Sequence, residues 1–418
     1  MKKSVYLTIF LVFSFSSIYV LNPKFTLPRL SSGLLLSFMF AYFAVSCSRL
    51  TLKISTKNLI FWVLLLVAYR SVNDIFLHKL SAIQSFYEIL KQSFPVLLLA
   101  AIEYLEIEDE KIIKTIFLAS FIQITVGLFQ VYNPSFTMNI IFDEIPLVRA
   151  PEITRTYLLE MKRITGTFDI SIGYALLIGI FMIIAISEYF KNRSKIYIVT
   201  PYVLLCGILI VFTGTRSAIY GIIPSIMLAY FIYSKPRLKR ILAYSIVAIL
   251  AIASFRIIER GITYLEPRAK MQIDGNTYLK LASNIYGTYG ALKENPLFGI
   301  PQSEHLSYIY KGVEDLGEII PAKKHYSLVD THHNIIGTYI KYYGLVGLVI
   351  FLSFVAAIFK KINLKSDRNI KFMLYGVLIY ILQYAMLHNN MLLNFFPLWI
   401  LLAVGEEEVE KVKIKFGT

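Results

Sequence analysis

The chain has 418 residues, 56% of them hydrophobic, and a formal charge of +15. Its mean hydropathy is +0.62. Soluble domains carry about 45–50% apolar residues, so this composition excludes a soluble globular protein and predicts one polytopic membrane domain over 1–418. The basic residues fall in short clusters between apolar runs, as membrane topology distributes them. No basic patch interleaved with aromatics calls for nucleic acid. The two cysteines, Cys47 and Cys206, lie far apart in apolar runs without metal-ligand spacing, and read as buried thiols.

A bilayer core of about 30 Å needs roughly 20 apolar residues per helical span. Met1-Lys2-Lys3 precedes an apolar run with no small-x-small cleavage site after it, so that run reads as a retained first span. Spans are predicted at about 4–21, 30–48, 58–77, 92–106, 112–132, 171–190, 196–214, 217–233, 241–257, 334–359, 370–388 and 391–404. The stretch 79–91 reads as an amphipathic helix on the interface. The expected fold is therefore an all-α integral membrane protein of about 12 transmembrane helices.

Counting alternate ends, one side collects Lys2 and Lys3, Arg49 to Lys57, Lys111 and Lys114, Lys191 to Lys195, Lys235 to Arg240, Lys360 to Lys371, and Lys411 to Lys415. The positive-inside rule makes that side, with both termini, cytoplasmic. Two long polar segments, 133–170 and 258–333, then face outward. Loops of that length in a compact protein are usually functional.

Four motifs lie at predicted outer ends. Arg163-Ile164-Thr165-Gly166-Thr167-Phe168 closes the first long loop. Thr213-Gly214-Thr215-Arg216-Ser217-Ala218 joins two spans. Arg216 there either snorkels to the interface or binds an anion through its guanidinium. Glu294-Asn295-Pro296-Leu297-Phe298-Gly299 reads by itself as a turn in the second loop. Asp330-Thr331-His332-His333-Asn334 opens the next span, with Thr331 or Asp330 as the expected helix cap. Two of the chain's six histidines are adjacent there. Adjacent histidines suit one tetrahedral metal ion poorly, and no HExxH or Cys cluster accompanies them. Neutral imidazole is a good base near neutral pH. Arg70 and Asp74, four apart, are expected to form an ion pair, and Glu406-Glu407-Glu408 to be a solvated tail.

These four motifs, RITGTF, TGTRSA, ENPLFG and THHNIIGTYIKYYGLVGLVIF in that order, resemble the O-antigen polymerase and O-antigen ligase superfamily of bacterial inner membranes. The resemblance covers roughly 160–360. It implies a GT-C-like glycosyltransferase that takes a glycan from undecaprenyl pyrophosphate and joins it to an acceptor on the periplasmic side. The family's His-Asn pair matches His333-Asn334, placing His333 at the catalytic position with His332 as its neighbour. The family's serine- or threonine-arginine pair matches Thr215-Arg216. A further family arginine, upstream of the ENPLFG-like turn, has no exact counterpart: the spacing falls near Lys280, with Arg268 and Lys270 further off. Arg163 joins Arg216, Lys280 and Arg268 as a candidate for the pyrophosphate.

The resemblance implies no cofactor or metal. It implies as partners a lipid-linked oligosaccharide donor and acceptor, the bilayer, and a separate chain-length regulator. Between the two activities, the Phe-, Tyr-, Ile- and Lys-rich chain favours the polymerase over the ligase, which transfers finished polymer to lipid A-core. A flippase or transporter is disfavoured because no inverted repeat is visible and the charges cluster at one end. A dolichol-phosphate type transferase is disfavoured because the loop 22–29 carries no acidic residue.

Overall fold

In a computed structural model of the chain, the described residues are 52–79, 81, 93, 95–104, 106–137, 155–166, 168, 171–233, 284–301, 304–316, 334–387 and 396–407. They are helical, with no strand among them. In chain order the helices are α1 (Ile54–Phe76), α2 (Pro95–Tyr104), α3 (Asp109–Tyr132), α4 (Ser171–Lys191), α5 (Ile196–Phe212), α6 (Arg216–Tyr233), α7 (284–294), α8 (His305–Leu316), α9 (Ile335–Asn363), α10 (Arg368–Leu387) and α11 (Phe396–Ala403). Five segments among the described residues are long and apolar enough to cross a membrane: α1, α3, α4, α9, and α5 with the short turn before it. The chain is a multi-pass membrane protein. The expected spans at 4–21, 30–48 and 241–257 lie outside the described residues, as does most of the amphipathic stretch 79–91.

Helix α4 sits at the centre, its Tyr174 to Phe181 run almost wholly buried. It packs on α5, α10, α6 and α3, while α1 lies along α9 and α6 along α10. A helix apolar all round belongs inside a bundle, and α4 fits that rule. By contrast α1 and α5 leave Phe61, Val72, Phe76, Leu204 and Ile208 exposed, the faces expected to meet lipid. Tyr380 and Tyr384 of α10 donate their hydroxyls to Ala175 O and Ile172 O of α4, at 3.3 and 2.6 Å. Those bonds fix the depth of α10 against α4.

One end of the bundle, holding the start of α1 and the end of α9, is closed by buried charge. Lys361 and Lys365 are fully buried. Lys361 Nζ donates to Glu103 and Glu407 at 2.8 and 2.7 Å, and to Thr56 at 2.8 Å. Lys365 Nζ reaches Glu407 at 3.3 Å and the carbonyl of Gly405 at 3.1 Å. Ser55 also donates to Glu407. This corrects one expectation: Glu407 is not a solvated tail residue. Burying two ammonium groups is too costly without counter-ions, and Glu103 and Glu407 supply them.

The opposite end carries the motifs. Helices α9 and α10 are joined by a short turn at 364–367, so the start of α9 and the end of α10 share that end of the bundle. Tyr384, bonded to the start of α4, puts the loop before α4 there too.

Candidate active site

Two parts of the motif set are built by backbone pairing. The first joins RITGTF to TGTRSA. Ile164 N donates to Phe212 O at the end of α5, 3.3 Å away. Gln130, buried near the end of α3, accepts from Thr165 N and Gly166 N at 2.9 and 2.8 Å and donates to Gly166 O at 2.8 Å. One amide side chain thus satisfies three backbone groups of a chain re-entering an apolar bundle, where such groups cannot be left to water. Gly214 has φ +61°, and a Cβ there would lie 2.8 Å from Arg163 Nε. Glycine is needed on both counts. The half-buried Arg163 therefore lies against the turn that leads into Arg216.

Arg216 is the first residue of α6, after Thr215, whose carbonyl accepts from Ala218 N at 3.1 Å. A cation at a helix N-terminus opposes the macrodipole, so its place there does not serve the helix. The Arg216 side chain lies outside the described residues. Its neighbour Ser217 hydrogen-bonds Tyr384 of α10.

The second part joins ENPLFG to α9. The expected span at 334–359 is one helix by its hydrogen bonds but is broken at Gly344, with φ +63° and ψ −169°. A Cβ there would lie 2.1 Å from Leu297 O, so only glycine fits. The break removes the helical bond between Lys341 O and Leu345 N, and both groups find partners in the motif or the residue directly after it. Ile300 N donates to Lys341 O at 2.7 Å, and Leu345 N to Pro296 O at 2.8 Å. Val346 N donates to Leu297 O at 3.3 Å. Helix α1 caps the remaining carbonyls. Tyr69 donates to Tyr343 O at 2.7 Å, while Asn73 Nδ2 reaches Tyr342 O at 3.5 Å and Phe298 O at 2.9 Å. ENPLFG is thus more than a turn: it completes a broken helix.

At 1.5 Å per residue, 345–363 alone runs about 28 Å, close to the hydrocarbon thickness. The shorter piece 335–343 then stands at the membrane boundary. Asn334 caps it, its Oδ1 accepting from Ile336 N and Gly337 N at 3.0 and 3.1 Å. The cap is therefore Asn334, and not Thr331 or Asp330 as expected. Asn334, Thr338 and Lys341 follow at helical spacing and share one face. Thr338 and Lys341 are buried. Among the described residues Thr338 Oγ1 has no hydrogen-bond partner. Lys341 Nζ donates to Asn284 Oδ1 at the start of α7, 3.3 Å away.

Beside this, the Arg70 guanidinium lies over the Tyr343 ring, 4.9 Å from its centroid. Asp74, the partner expected for Arg70, lies 3.9 Å from His78 Nε2. His78 in turn meets the rings of Tyr342 and Tyr343 edge-on. Helices α7 and α8 form a hairpin outside the bundle, tied by Lys293–Asp315 and Lys311–Glu294 pairs at 2.8 and 2.9 Å. Exposed pairs of this kind are worth little, and the hairpin is held by close backbone packing at Gly290 and Gly312.

Of the residues expected to carry chemistry, Arg163 is placed against the TGTRSA turn. His332, His333, Lys280 and Arg268 lie outside the described residues. The sequence reading did not single out Gln130, Asn284, Thr338 or Lys341. Their signal was present: Gln130 and Lys341 are polar residues within apolar helices, which is where intramembrane function or packing shows itself.

No curated protein matches the chain. Residues 201–352 match a protein family described as O-antigen ligase. That range holds TGTRSA, ENPLFG, the His-Asn pair and the Gly344 break, while RITGTF precedes it. The match points to a glycosyl-transfer enzyme of O-antigen biosynthesis, and through residues 201–352 it shows this chain's resemblance to the O-antigen polymerase and O-antigen ligase superfamily.

Proposed function

We propose that the protein is an O-antigen polymerase, joining undecaprenyl-pyrophosphate-linked oligosaccharide repeat units at the periplasmic face of the bacterial inner membrane. The observation that carries this reading is the convergence of RITGTF with TGTRSA, and of ENPLFG with α9, at one end of the bundle, within and beside the family match. In this reading the bundle is GT-C-like with about 12 spans and cytoplasmic termini. The segments 133–170 and 258–333 are its periplasmic loops.

The chemistry is a displacement at the anomeric carbon. The acceptor sugar's hydroxyl oxygen forms the new glycosidic bond as the bond to undecaprenyl pyrophosphate breaks. The pyrophosphate leaves with the electron pair, and the anomeric centre inverts. The hydroxyl proton passes to His333, which serves as base because a sugar hydroxyl is far too weak an acid to ionise unaided. His332 is its neighbour. The leaving group is already a stabilised anion, so it needs positive charge rather than an acid. Arg216, at the N-terminus of α6, supplies that charge where the helix dipole adds to it, with Arg163 against the same turn. Lys280 is the second cation in preference to Arg268. It is four residues from Asn284, at most about 14 Å of chain, whereas Arg268 is not so tied. The step as written needs no metal. The partners are the lipid-linked donor and acceptor, with a separate protein regulating chain length.

The family description names the second reading, the ligase, in which the acceptor is lipid A-core. A gel of surface polysaccharide separates them, after chromosomal deletion and complementation with wild type, His333→Ala and Arg216→Ala. A polymerase defect leaves lipid A-core bearing a single repeat. A ligase defect leaves bare lipid A-core while polymer accumulates on the lipid carrier. A normal ladder from both variants, each present in the membrane, refutes the site.

A further inference from the structure

Lys341, buried near the start of α9, is not among the residues the reaction above uses. Lys341 is 1% exposed. It sits on the face of α9 that begins at the Asn334 cap, and its stem lies along α7, where a Cβ on Gly287 would be 3.1 Å from Lys341 Cδ. Its ammonium donates to Asn284 Oδ1 at 3.3 Å. The same oxygen lies against the first turn of α9, where a Cβ on Gly337 would be 3.3 Å from it. Thr288 Oγ1 lies beside it, 3.5 Å from the same point. The start of α7 and the start of α9 are thus drawn together at one polar contact. The chain entering α7 carries Lys280, and the chain entering α9 carries His333. Lys341 O, on the same residue, is held by Ile300 N of the docked turn. A helical residue whose side chain grips one end of the outer segment and whose carbonyl grips the other fixes both ends of 284–300 to α9.

We propose that Lys341 is a positioning residue: through Asn284 Oδ1 it anchors the start of α7, four residues after Lys280 in the sequence, to the first turn of α9. This rests on the site reading given above for Lys280 and His333. Fixing that end of the chain reduces the ordering needed for Lys280 to reach the donor's pyrophosphate on binding, which lowers KM for the donor. Once the donor is bound the same groups, Lys280 included, act on it, so kcat is little affected.

The test uses the full-length protein in lipid nanodiscs with a lipid-linked repeat unit as substrate. Wild type, Lys341→Met, Lys341→Arg, Asn284→Ala, the Lys341→Met/Asn284→Ala pair and His333→Ala are compared, with melting temperature as the check on folding. Methionine keeps the stem that packs on Gly287, and Asn284→Ala leaves Lys341 intact, so one variant reports if the other misfolds. The expected result is a donor KM about tenfold higher in each single variant, with kcat within about twofold. The pair is no worse than the worse single variant, and Lys341→Arg recovers part of the loss. Unchanged KM in both folded single variants overturns the proposal, and so do losses that add in the pair. His333→Ala at wild-type kcat overturns the site reading instead, and leaves the coupling between Lys341 and Asn284 to be read from KM alone.

Discussion

Replacing Gly344 with alanine tests whether the docked ENPLFG turn is part of the working site. The backbone at φ +63° and ψ −169° belongs to a region open essentially to glycine alone, and holding another residue there costs about 1–3 kcal/mol. The added methyl also falls 2.1 Å from Leu297 O, so the turn must move away. Moving it puts at risk the bonds from Ile300 N, Leu345 N and Val346 N, each worth about 1 kcal/mol net. A combined cost of about 5 kcal/mol shifts the docked-to-undocked ratio by between three and four powers of ten. The spanning piece 345–363 does not need the turn for its own helical bonds. Gly344→Ala is therefore expected to reach the membrane at normal abundance while polymer synthesis falls at least 100-fold. Limited trypsin digestion in sealed, outward-exposed vesicles is expected to cut faster at Lys293 and Lys311, which are exposed on the α7–α8 hairpin. A variant with wild-type ladder intensity and unchanged digestion refutes the reasoning.

Four further outcomes follow from other contacts of the bundle. Gln130→Ala strips three hydrogen bonds from Thr165 and Gly166 and is expected to lower synthesis at least tenfold at unchanged membrane level, read by the same gel. Asn334→Ala removes the cap of α9, worth about 1 kcal/mol, and is expected to cut kcat about tenfold, with Asn334→Asp restoring most of it. At the other end, Lys361→Met leaves Glu103 and Glu407 buried without their shared cation and is expected to destabilise by about 3–5 kcal/mol, seen as a lower melting temperature. Burial, aided by the Lys361 charge, lowers the Lys365 ammonium to about 8, below the ordinary lysine value of about 10.4. Between those values the unfolded chain binds the extra proton, so this group's contribution to stability rises with pH across that window. Burial alone raises the Glu407 carboxyl, but Lys361, Ser55 and Lys365 outweigh it and hold it below its ordinary value. Its contribution is present above the usual glutamate range and lost as pH falls through the lowered value. Melting curves of wild type and Glu407→Gln across pH check both signs.

Much of the frame was legible in the sequence because a bilayer imposes length and polarity on every span. The helices at α1, α3, α4, α5, α6, α9 and α10 fall where hydropathy put them. What escaped was whatever depends on a specific partner. A glycine inside an apolar run looks like any other glycine of a membrane helix, so Gly344 gave no sign of a break until Pro296 and Leu297 were found filling it. Glu407 sits in an acidic run whose composition says solvent, and only the buried Lys361 and Lys365 reverse that. Asn334 was read as the second half of a His-Asn pair. Its cap bonds to Ile336 and Gly337 show that it also starts the helix that follows His333.

The most direct measurement of the central claim is the reaction itself. Purified full-length protein in nanodiscs is mixed with one defined undecaprenyl-pyrophosphate-linked repeat unit in the presence of a chelator, and the products are followed by mass spectrometry. The account predicts a ladder of lengthening glycans on the lipid carrier, one undecaprenyl pyrophosphate released per step, with no ladder from His333→Ala. A substrate that stays at a single repeat, and is transferred only when lipid A-core is supplied, contradicts the polymerase and establishes the ligase.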